Sequence, residues 1–323
     1  MVCDRTGAVM SIKTKPVMLL KTDDRDQQWA ETFAEIFPAL EIRIWPNVGN
    51  PADINCALLW APPPELFSDL KNLEVLFSIG AGVDSLLTCP TLPADIPVVR
   101  MVEPQLTAGM VEYCLFNVLR FHRLMHRFEE QQSRRHWEDL AQVPASEITV
   151  GVMGLGVLGQ ALSAQLCAMN YRVVGYRRSQ QDVEGVEVFY GEDGLQPFLS
   201  RSMILVLLMP ATAGTEKLIN ANTLAMLPPD AFLINAGRGD LVDENALIAA
   251  LDNHTLEAAA LDVFETEPLP ESSPIWNHPR ILVTPHIGSV TFPPTACRYI
   301  ADAIVGFQQG VPWSNTVKTE SGY

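Results

Sequence analysis

The chain has 323 residues, of which 48% are hydrophobic and 19% are charged, a composition typical of a soluble globular protein with two domains. Its formal net charge is −16 and it contains no long basic run, so nucleic acids and anionic membranes are excluded as favoured partners. Its six cysteines form no C-x-x-C pair, which favours reduced thiols in a cytoplasmic protein and no metal site.

Residues 1–16 precede the first apolar strand and lack the apolar core of a signal peptide. We expect them to form a loose N-terminal extension. No later stretch approaches eighteen uninterrupted apolar residues, so no membrane-spanning helix is predicted.

Short apolar runs alternate with a helical pattern in the first third of the chain. A helix is predicted at 23–37, with Trp29 and Phe33 on one face and acidic residues in its first turn. Strands are predicted at 17–20, 42–45, 57–60, 75–79 and 98–102. This alternation predicts a small, parallel, flavodoxin-like α/β domain.

Two loops of this domain follow predicted strands. One starts at Trp60 and is fixed by three prolines, and the other contains Gly80 and Gly82. Ligands of parallel sheets collect at the carboxyl ends of strands, and bare amides at such a place suit a carboxylate. The two glycines are equally well explained as ordinary turn residues.

A long helical pattern is predicted over 108–132, and Arg134, Arg135 and His136 follow it. Trp137 comes next, in an otherwise polar segment. It is predicted either to contact a partner subunit or to pack on the protein's own surface.

Residues 148–178 have the pattern of a dinucleotide-binding unit. A β-branched strand at 148–152 is followed by Gly154, Gly156 and Gly159, and then by a helix at 160–169 and a strand at 171–176. The first glycine allows a tight turn, the second lets a pyrophosphate approach, and the third lets helix and strand pack closely. The alternative is a purely structural turn.

Arg177, Arg178 and Ser179 stand where an NAD-binding unit usually carries an acidic residue. Two guanidinium groups pair with a 2′-phosphate, which a carboxylate would repel. The segment therefore favours NADP(H), with two solvated arginines as the alternative reading.

Continuous apolar runs at 203–209, 231–236, 256–263 and 280–284 are typical of central parallel strands. Together with the two strands around the glycines they predict a six-stranded, doubly wound Rossmann sheet. Helices are predicted at 243–252 and 293–309.

Three polar residues lie just beyond successive predicted strands: Arg238, Glu267 and His286. Taken alone, Arg238 is explained as a surface residue, Glu267 as a solvated loop carboxylate and His286 as a histidine hydrogen-bonded to backbone. At neighbouring strand ends of a dinucleotide domain they form an acid/base set with an anion clamp.

Further motifs carry a family resemblance. They are Gly80-Ala-Gly-Val-Asp84, Gly154-Leu-Gly-Val-Leu-Gly159, Leu208-Met-Pro with Thr215, Asn235-Ala-Gly-Arg-Gly239, Leu261-Asp-Val-Phe264, Glu267-Pro-Leu-Pro270 and Pro285-His-Ile-Gly-Ser289. In this order the chain resembles the D-isomer-specific 2-hydroxyacid dehydrogenase family. Within that family it is most similar to the A-type glyoxylate/hydroxypyruvate reductases, on Leu59-Trp-Ala-Pro-Pro63, Ser133-Arg-Arg-His-Trp137, Gly175-Tyr-Arg-Arg178 and the closing Gly322-Tyr323.

The resemblance implies a role for each catalytic residue. Arg238 would bind the substrate carboxylate and polarise its ketone, and protonated His286 would give a proton to the carbonyl oxygen. Glu267 would orient the imidazole and favour its protonated form.

The resemblance also implies binding residues. Substrate would meet the amides of Ile79, Gly80, Ala81 and Gly82, a wall formed by Trp60, and Trp137 reaching across a homodimer interface. The residues expected at the cofactor are Gly154, Leu155, Gly156, Val157, Leu158, Gly159, Arg177, Arg178, Ser179, Leu208, Met209, Pro210, Thr215, Ala236, Gly237, Arg238, Asp262, His286, Gly288 and Ser289.

The expected organisation is a substrate domain of residues 17–115 and 293–323 and a dinucleotide-binding domain of residues 116–292. The expected activity is NADPH-dependent reduction of glyoxylate and hydroxypyruvate to glycolate and D-glycerate. The alternatives are an NAD-linked dehydrogenase for a larger 2-hydroxy acid and, outside the enzymes, an NAD(H)-sensing corepressor-like binding protein.

Overall fold

The computed structural model describes residues 15–22 and 25–317. The chain divides into two compact units, after Leu106 and again after Val290, so that the first unit contains residues from both sides of the second. The predicted boundary after residue 115 lies farther along the chain than this division. The roles of the two units, substrate binding and dinucleotide binding, remain predictions.

The described residues form twelve strands and nine α-helices. In chain order the strands are β1 (Val17–Lys21), β2 (Glu41–Ile44), β3 (Cys56–Leu59), β4 (Val75–Ser78), β5 (Val98–Val99), β6 (Thr149–Met153), β7 (Arg172–Arg177), β8 (Glu187–Tyr190), β9 (Ile204–Leu207), β10 (Ala231–Asn235), β11 (Leu256–Leu261) and β12 (Ile281–Val283). The helices are α1 (Asp26–Ile36), α2 (Asp84–Leu87), α3 (Pro104–His122), α4 (Met125–Ser133), α5 (Val157–Ala168), α6 (Gly191–Leu199), α7 (Ala221–Leu224), α8 (Glu244–Asp252) and α9 (Pro293–Gln308).

The first unit contains a five-stranded parallel sheet in the order β2-β1-β3-β4-β5, which is the flavodoxin-like order. Strands β3 and β4 are buried along their whole length, as expected of central parallel strands, whereas β2 (Glu41-Ile-Arg-Ile44) is only half-buried. Helix α1 buries Trp29 and Phe33 and packs against α9. The helix predicted at 23–37 is described from Asp26, since residues 23 and 24 lie outside the described residues.

The second unit contains a seven-stranded parallel sheet in the order β12-β11-β10-β9-β6-β7-β8. This is the Rossmann order, confirming the predicted fold class, but the predicted count of six strands was wrong. The additional strand, β8, lies at the edge beside β7. Its four residues, Glu187-Val-Phe-Tyr190, are half-buried or exposed, unlike those of the central strand β9, which is buried along its whole length.

The helix predicted over 108–132 is in fact two helices, α3 and α4. The break lies at Leu124, whose φ of 55° is left-handed and ends the α-helical path. No glycine or proline marks this break, and the apolar spacing continues across it, so the sequence pattern predicted one helix.

None of the helices in the described part of the chain is long and apolar enough to cross a membrane. The five described cysteines are free, and four of them, Cys56, Cys89, Cys114 and Cys297, are buried. Burial raises the pKa of the Cys56 and Cys114 thiols, which keeps these groups neutral. Cys3 lies outside the described residues.

Candidate active site

The loop between β6 and α5 is shaped by the three glycines of the predicted fingerprint. Gly154 has a φ of 108°, and a Cβ there would lie 2.8 Å from the amide nitrogen of Met209. A Cβ on Gly159 would overlap the carbonyl of Gly154, whereas one on Gly156 would meet nothing within 4 Å. The first and third glycines therefore permit close packing, and the second leaves open space beside the loop.

Helix α5 begins at Val157, three residues before its predicted start, with Gly156 as its N-cap. No side chain caps this end of the helix. The first amides of the helix, including those of Val157 and Leu158, have no intrahelical acceptor, and such groups bind phosphate oxygens. Open space and uncapped amides together fit the pyrophosphate of a dinucleotide.

Strand β7 ends with Arg177, one residue later than predicted. The Nη1 of Arg177 is buried and has no hydrogen-bond partner among the described residues. A buried donor without an acceptor is costly, so this nitrogen fits a site that is completed by an anionic ligand. Arg178 and Ser179 follow directly, at the same strand end.

The segment after β9 borders the glycine loop. Leu208 donates its amide to the carbonyl of Met153 at 2.8 Å, and Met209 is buried against Gly154. Thr215 ties the turn together, because its hydroxyl donates to the carbonyl of Pro210 at 2.9 Å and accepts from the amide of Thr212 at 2.8 Å.

Arg238 lies in a turn at the end of β10 that Asn235 holds on both sides. The side-chain amide of Asn235 donates to the carbonyl of Arg238 at 2.9 Å, and its oxygen accepts from the amide of Gly237 at 3.2 Å. A Cβ on Gly239 would overlap the carbonyl group of Phe264, so this glycine lets the Arg238 turn contact the segment that leads to Glu267. The guanidinium Nη1 of Arg238 donates to the carbonyl of Gly237 at 2.7 Å.

His286 and Glu267 form a direct pair, with 2.7 Å between Nδ1 and Oε2. The other oxygen of Glu267 accepts from the amide of Phe264 at 3.0 Å. Burial raises the pKa of Glu267, but the hydrogen bonds from His286 and Phe264 and the charge of Arg238 outweigh it and hold the pKa below its usual value. Because an ionised carboxylate only accepts hydrogen bonds, the Nδ1 of His286 carries a proton.

The structure therefore brings the three predicted catalytic residues together. They follow β10, β11 and β12, which are neighbours in the sheet, and all lie at its carboxyl edge. Asn235 and Gly239 also shape this site, and neither was predicted to do so from the sequence. Both lie in the motif that was recognised around Arg238. The motif indicated the family, but the contacts made by these two residues were not predicted from it.

Asp262 lies at the end of β11 and is 1% exposed. Its backbone oxygen and both carboxylate oxygens accept hydrogen bonds from the backbone of the loop that carries His286. Ser289, at the end of that loop, lies beside Gly109 of α3, where a Cβ would be 3.4 Å from its Oγ.

In the first unit, the predicted substrate loop follows β4. The amides of Ile79 and Gly80 are engaged, with the carbonyl of Leu59 at 3.3 Å and the hydroxyl of Ser78 at 3.3 Å. The amides of Ala81 and Gly82 meet no hydrogen-bond acceptor among the described residues, so these two are available to a ligand.

Trp60 packs beside this turn, because a Cβ on Gly80 would lie 3.3 Å from its ring. Trp137, which follows α4, is 98% exposed, so within the described part of the chain it is not packed against other residues. Of the two readings of Trp137 left open by the sequence, packing on its own surface is wrong.

Comparison with known proteins gives a family. A family model described as the NAD-binding domain of D-isomer specific 2-hydroxyacid dehydrogenases matches residues 115–288. The chain is 35% identical to a glyoxylate/hydroxypyruvate reductase A from Serratia proteamaculans, over 92% of this chain and 96% of the relative. It is 37% identical to the protein of the same name from Salmonella heidelberg, over 91% and 96%.

Two solved structures are similar over nearly their whole length. A D-isomer specific 2-hydroxyacid dehydrogenase from Xanthobacter autotrophicus Py2, in complex with NADPH and MES, superposes with a TM-score of 0.92 at 39% identity, covering 96% of this chain and 99% of that one. An NADPH-dependent glyoxylate/hydroxypyruvate reductase from Sinorhizobium meliloti, with NADP and sulfate, gives 0.89 at 37% identity, covering 96% and 100%. With its Rossmann unit, glycine loop and paired His286 and Glu267, the chain belongs to the D-isomer specific 2-hydroxyacid dehydrogenase family and is an NAD(P)-dependent dehydrogenase.

Proposed function

We propose that this enzyme reduces small 2-oxo acids, glyoxylate and hydroxypyruvate first, to glycolate and D-glycerate, with NADPH as the reductant. The observation that carries the proposal is the pairing of His286 with Glu267 at 2.7 Å, beside Arg238, at adjacent strand ends. The names of the relatives from Serratia and Salmonella support the substrate class.

Each catalytic residue has a task in this reaction. Arg238 binds the substrate carboxylate and polarises the ketone, a bidentate role for which its planar guanidinium is suited. His286 delivers a proton to the carbonyl oxygen, and Glu267 holds the imidazole in orientation through Nδ1. When bound, NADPH supplies the hydride that reaches the carbonyl carbon.

In the first unit, the amides of Ala81 and Gly82, in the turn formed with Ile79 and Gly80, are the candidate donors to an anionic group of the substrate. Trp60, which packs against this turn, limits the size of the substrate. A small side chain on the 2-oxo acid is therefore expected to give the highest kcat/KM.

The cofactor preference rests on Arg177. Its buried Nη1 lacks a partner among the described residues, and the 2′-phosphate of NADPH would provide one. The structures from Xanthobacter and Sinorhizobium, which hold NADPH and NADP, support the same choice. Glycines 154, 156 and 159 and the start of α5 would hold the pyrophosphate.

A substrate panel tests the proposal. The purified protein is assayed with glyoxylate, hydroxypyruvate, pyruvate and phenylpyruvate, each with NADPH and with NADH. We expect the highest kcat/KM for glyoxylate or hydroxypyruvate with NADPH. Equal kcat/KM with both cofactors, or activity on phenylpyruvate alone, favours the NAD-linked enzyme for larger acids, and tight NADH binding without turnover favours the corepressor-like protein.

Replacing the arginines tests the cofactor assignment. Arg177→Asp with Arg178→Ala should lower the NADPH:NADH ratio of kcat/KM by about tenfold to 10²-fold, because a carboxylate repels the 2′-phosphate. Arg172→Ala is the matched control, since Arg172 is exposed at the opposite end of β7. An unchanged ratio in the double variant would show that these arginines do not read the phosphate.

Replacing His286 tests the proton donor. His286→Ala should lower kcat by about 10²–10⁴-fold while NADPH binding, followed by its fluorescence, is retained. His278→Ala is the control, because His278 also faces a carboxylate, that of Asp252 at 3.4 Å, but precedes β12 instead of following it. Near-normal turnover of His286→Ala would remove this residue from the mechanism.

We further propose a cytoplasmic homodimer in which Trp137 contacts the partner subunit. The 98% exposure of this large aromatic side chain supports the contact, and the free thiols support the compartment. In analytical ultracentrifugation the protein should sediment as a dimer, and Trp137→Ala should raise the dimer dissociation constant. Trp276→Ala, at a second exposed tryptophan, should leave it unchanged, and a monomeric wild-type protein would contradict the proposal.

A further inference from the structure

The loop that carries His286 is held by one residue through three successive amides. The amide of His286 donates to the backbone carbonyl of Asp262 at 2.8 Å. The amide of Ile287 donates to Oδ1 of Asp262 at 2.9 Å, and that of Gly288 donates to Oδ2 at 2.7 Å. Asp262 therefore determines the path of the backbone segment that carries the imidazole of His286.

This anchoring matters because His286 has a left-handed backbone, with a φ of 53°. A non-glycine residue adopts this conformation only where the surrounding contacts hold it there. The three hydrogen bonds to Asp262 supply such contacts, so the direction of the imidazole depends on the position of one buried carboxylate.

The carboxylate also accepts a hydrogen bond from the hydroxyl of Thr284, which is itself bonded to the hydroxyl of Tyr113. Thr284 donates its hydroxyl proton to Oδ1 of Asp262 at 2.6 Å. Because a threonine hydroxyl has a single proton, the hydroxyl of Tyr113, 2.8 Å away, must donate to Thr284. The result is a directed chain from Tyr113 through Thr284 to Asp262.

Tyr113 belongs to α3 and lies far from His286 in sequence, but its ring packs against the same loop. A Cβ on Gly288 would lie 3.3 Å from Cδ1 of Tyr113 and 2.8 Å from Oδ2 of Asp262. Burial raises the pKa of Tyr113, so that its hydroxyl keeps the proton it donates. Tyr113 is thus linked to the His286 loop by packing as well as by the series of hydrogen bonds through Thr284 and Asp262.

We infer that Tyr113 and Thr284 are positioning residues that act through Asp262 to hold the His286 backbone in its left-handed conformation, with the imidazole facing Glu267. The inference rests on the proton-donor role proposed for His286. The hydrogen bonds of both hydroxyls lead to Asp262, so we expect their effect on turnover to pass through Asp262 and the loop.

Four variants of the full-length protein test the inference. Tyr113→Phe and Thr284→Val each remove one hydroxyl and keep the side-chain shape, and Thr284→Ser restores the hydroxyl. Tyr171→Phe is the matched control, since it loses a comparable hydrogen bond, 2.7 Å to Nδ1 of His122, elsewhere in the same unit. For each variant we would measure kcat, KM, thermal unfolding, and amide hydrogen exchange of a peptide covering residues 284–290.

We expect Tyr113→Phe and Thr284→Val to lower kcat by about tenfold to 10²-fold, because small displacements of a catalytic group have effects of this size. KM for the 2-oxo acid should change little, and exchange at 286–288 should accelerate. Thr284→Ser should recover most of the kcat, and Tyr171→Phe should change neither kcat nor the exchange of this peptide.

Two results would overturn the inference. One is faster exchange at 286–288 in Thr284→Val without a loss of kcat, and the other is a kcat in Tyr113→Phe and Thr284→Val equal to that of Tyr171→Phe. Failure of the proposed function is distinct, because it appears as absent turnover in the wild-type protein or as retained turnover in His286→Ala. The hydrogen-exchange comparison is made without substrate, so it still confirms or refutes the coupling of both hydroxyls to the loop.

Discussion

Single glycines determine how closely the active-site loops approach each other. Gly159 lets α5 pack on the carbonyl of Gly154, and Gly239 lets the Arg238 turn pack on the backbone of Phe264. In both places the neighbouring atoms belong to backbone, which cannot move aside as a flexible side chain can. Gly156 is different, because the space beside it is open.

This contrast leads to a prediction at the residue scale. Gly159→Ala should lower the free energy of unfolding by about 1–3 kcal/mol or more, since the methyl group overlaps the Gly154 carbonyl. Gly156→Ala should leave stability within about 0.5 kcal/mol, because its backbone is extended and its methyl group meets no atom.

The same two variants should also differ in their affinity for the cofactor. Gly156→Ala should raise KM for NADPH by about tenfold or more, because its methyl group would enter the open space in which we propose that the pyrophosphate binds. Urea unfolding and initial-rate kinetics measure the two effects. A stable Gly159→Ala, or a Gly156→Ala with unchanged KM for NADPH, would contradict this division of roles.

At the scale of elements, a charged cluster fastens α4 to β11. Arg127 of α4 donates to Oε1 of Glu257 through Nε at 3.0 Å and Nη2 at 2.8 Å. His126 lies 3.5 Å from the same oxygen and packs edge-on against Phe232 of β10. His126 and Arg127 together outweigh the effect of burial and lower the pKa of Glu257 to about 2.

The cluster predicts a pH dependence of stability. A carboxylate whose pKa is lower in the folded state stabilises the fold above its unfolded pKa, and this contribution is lost as the pH falls through the folded value. For Glu257 the loss begins near the ordinary value of 4.5 and continues towards about 2.

The variant Glu257→Gln tests this contribution. At pH 7 it should lower the free energy of unfolding by about 1–3 kcal/mol, because it removes the charge that Arg127 and His126 face. In urea unfolding, the difference from wild type should shrink between pH 5 and pH 3. Glu130→Gln, at the exposed pair with Arg134, should change stability little at any pH. A difference that is constant with pH would refute the role of the Glu257 charge.

At the scale of the whole molecule, the net charge of −16 opposes an anionic substrate and an anionic cofactor. In the proposed sites, local groups attract these anions. They are the guanidinium groups of Arg177 and Arg238, and amides at the start of α5 and in the turn after β4. Both units place these groups at the carboxyl edge of a parallel sheet. Anion binding therefore depends on the placement of a few donors and not on the overall field.

The sequence alone determined the fold class, the family and the positions of the catalytic candidates. Continuous apolar runs predict buried parallel strands, and the residues that follow such strands meet at one edge of the sheet. For this reason Arg238, Glu267 and His286 were predicted to lie together before any contact was known. The glycine loop and the two arginines could also be identified from the sequence, because the functions predicted for them depend on local backbone geometry.

Other features were decided only by the tertiary structure. Strand β8 is only four residues long and half-buried or exposed, and it is a strand through its parallel pairing with the edge of β7. Helices α3 and α4 separate at Leu124, where the apolar spacing shows no interruption. The chain from Tyr113 through Thr284 to Asp262 joins residues that are distant in sequence, and packing alone brings them within hydrogen-bonding distance. Local patterns indicate which element forms, whereas the contacts that orient the His286 loop depend on how the elements of the second unit pack against one another.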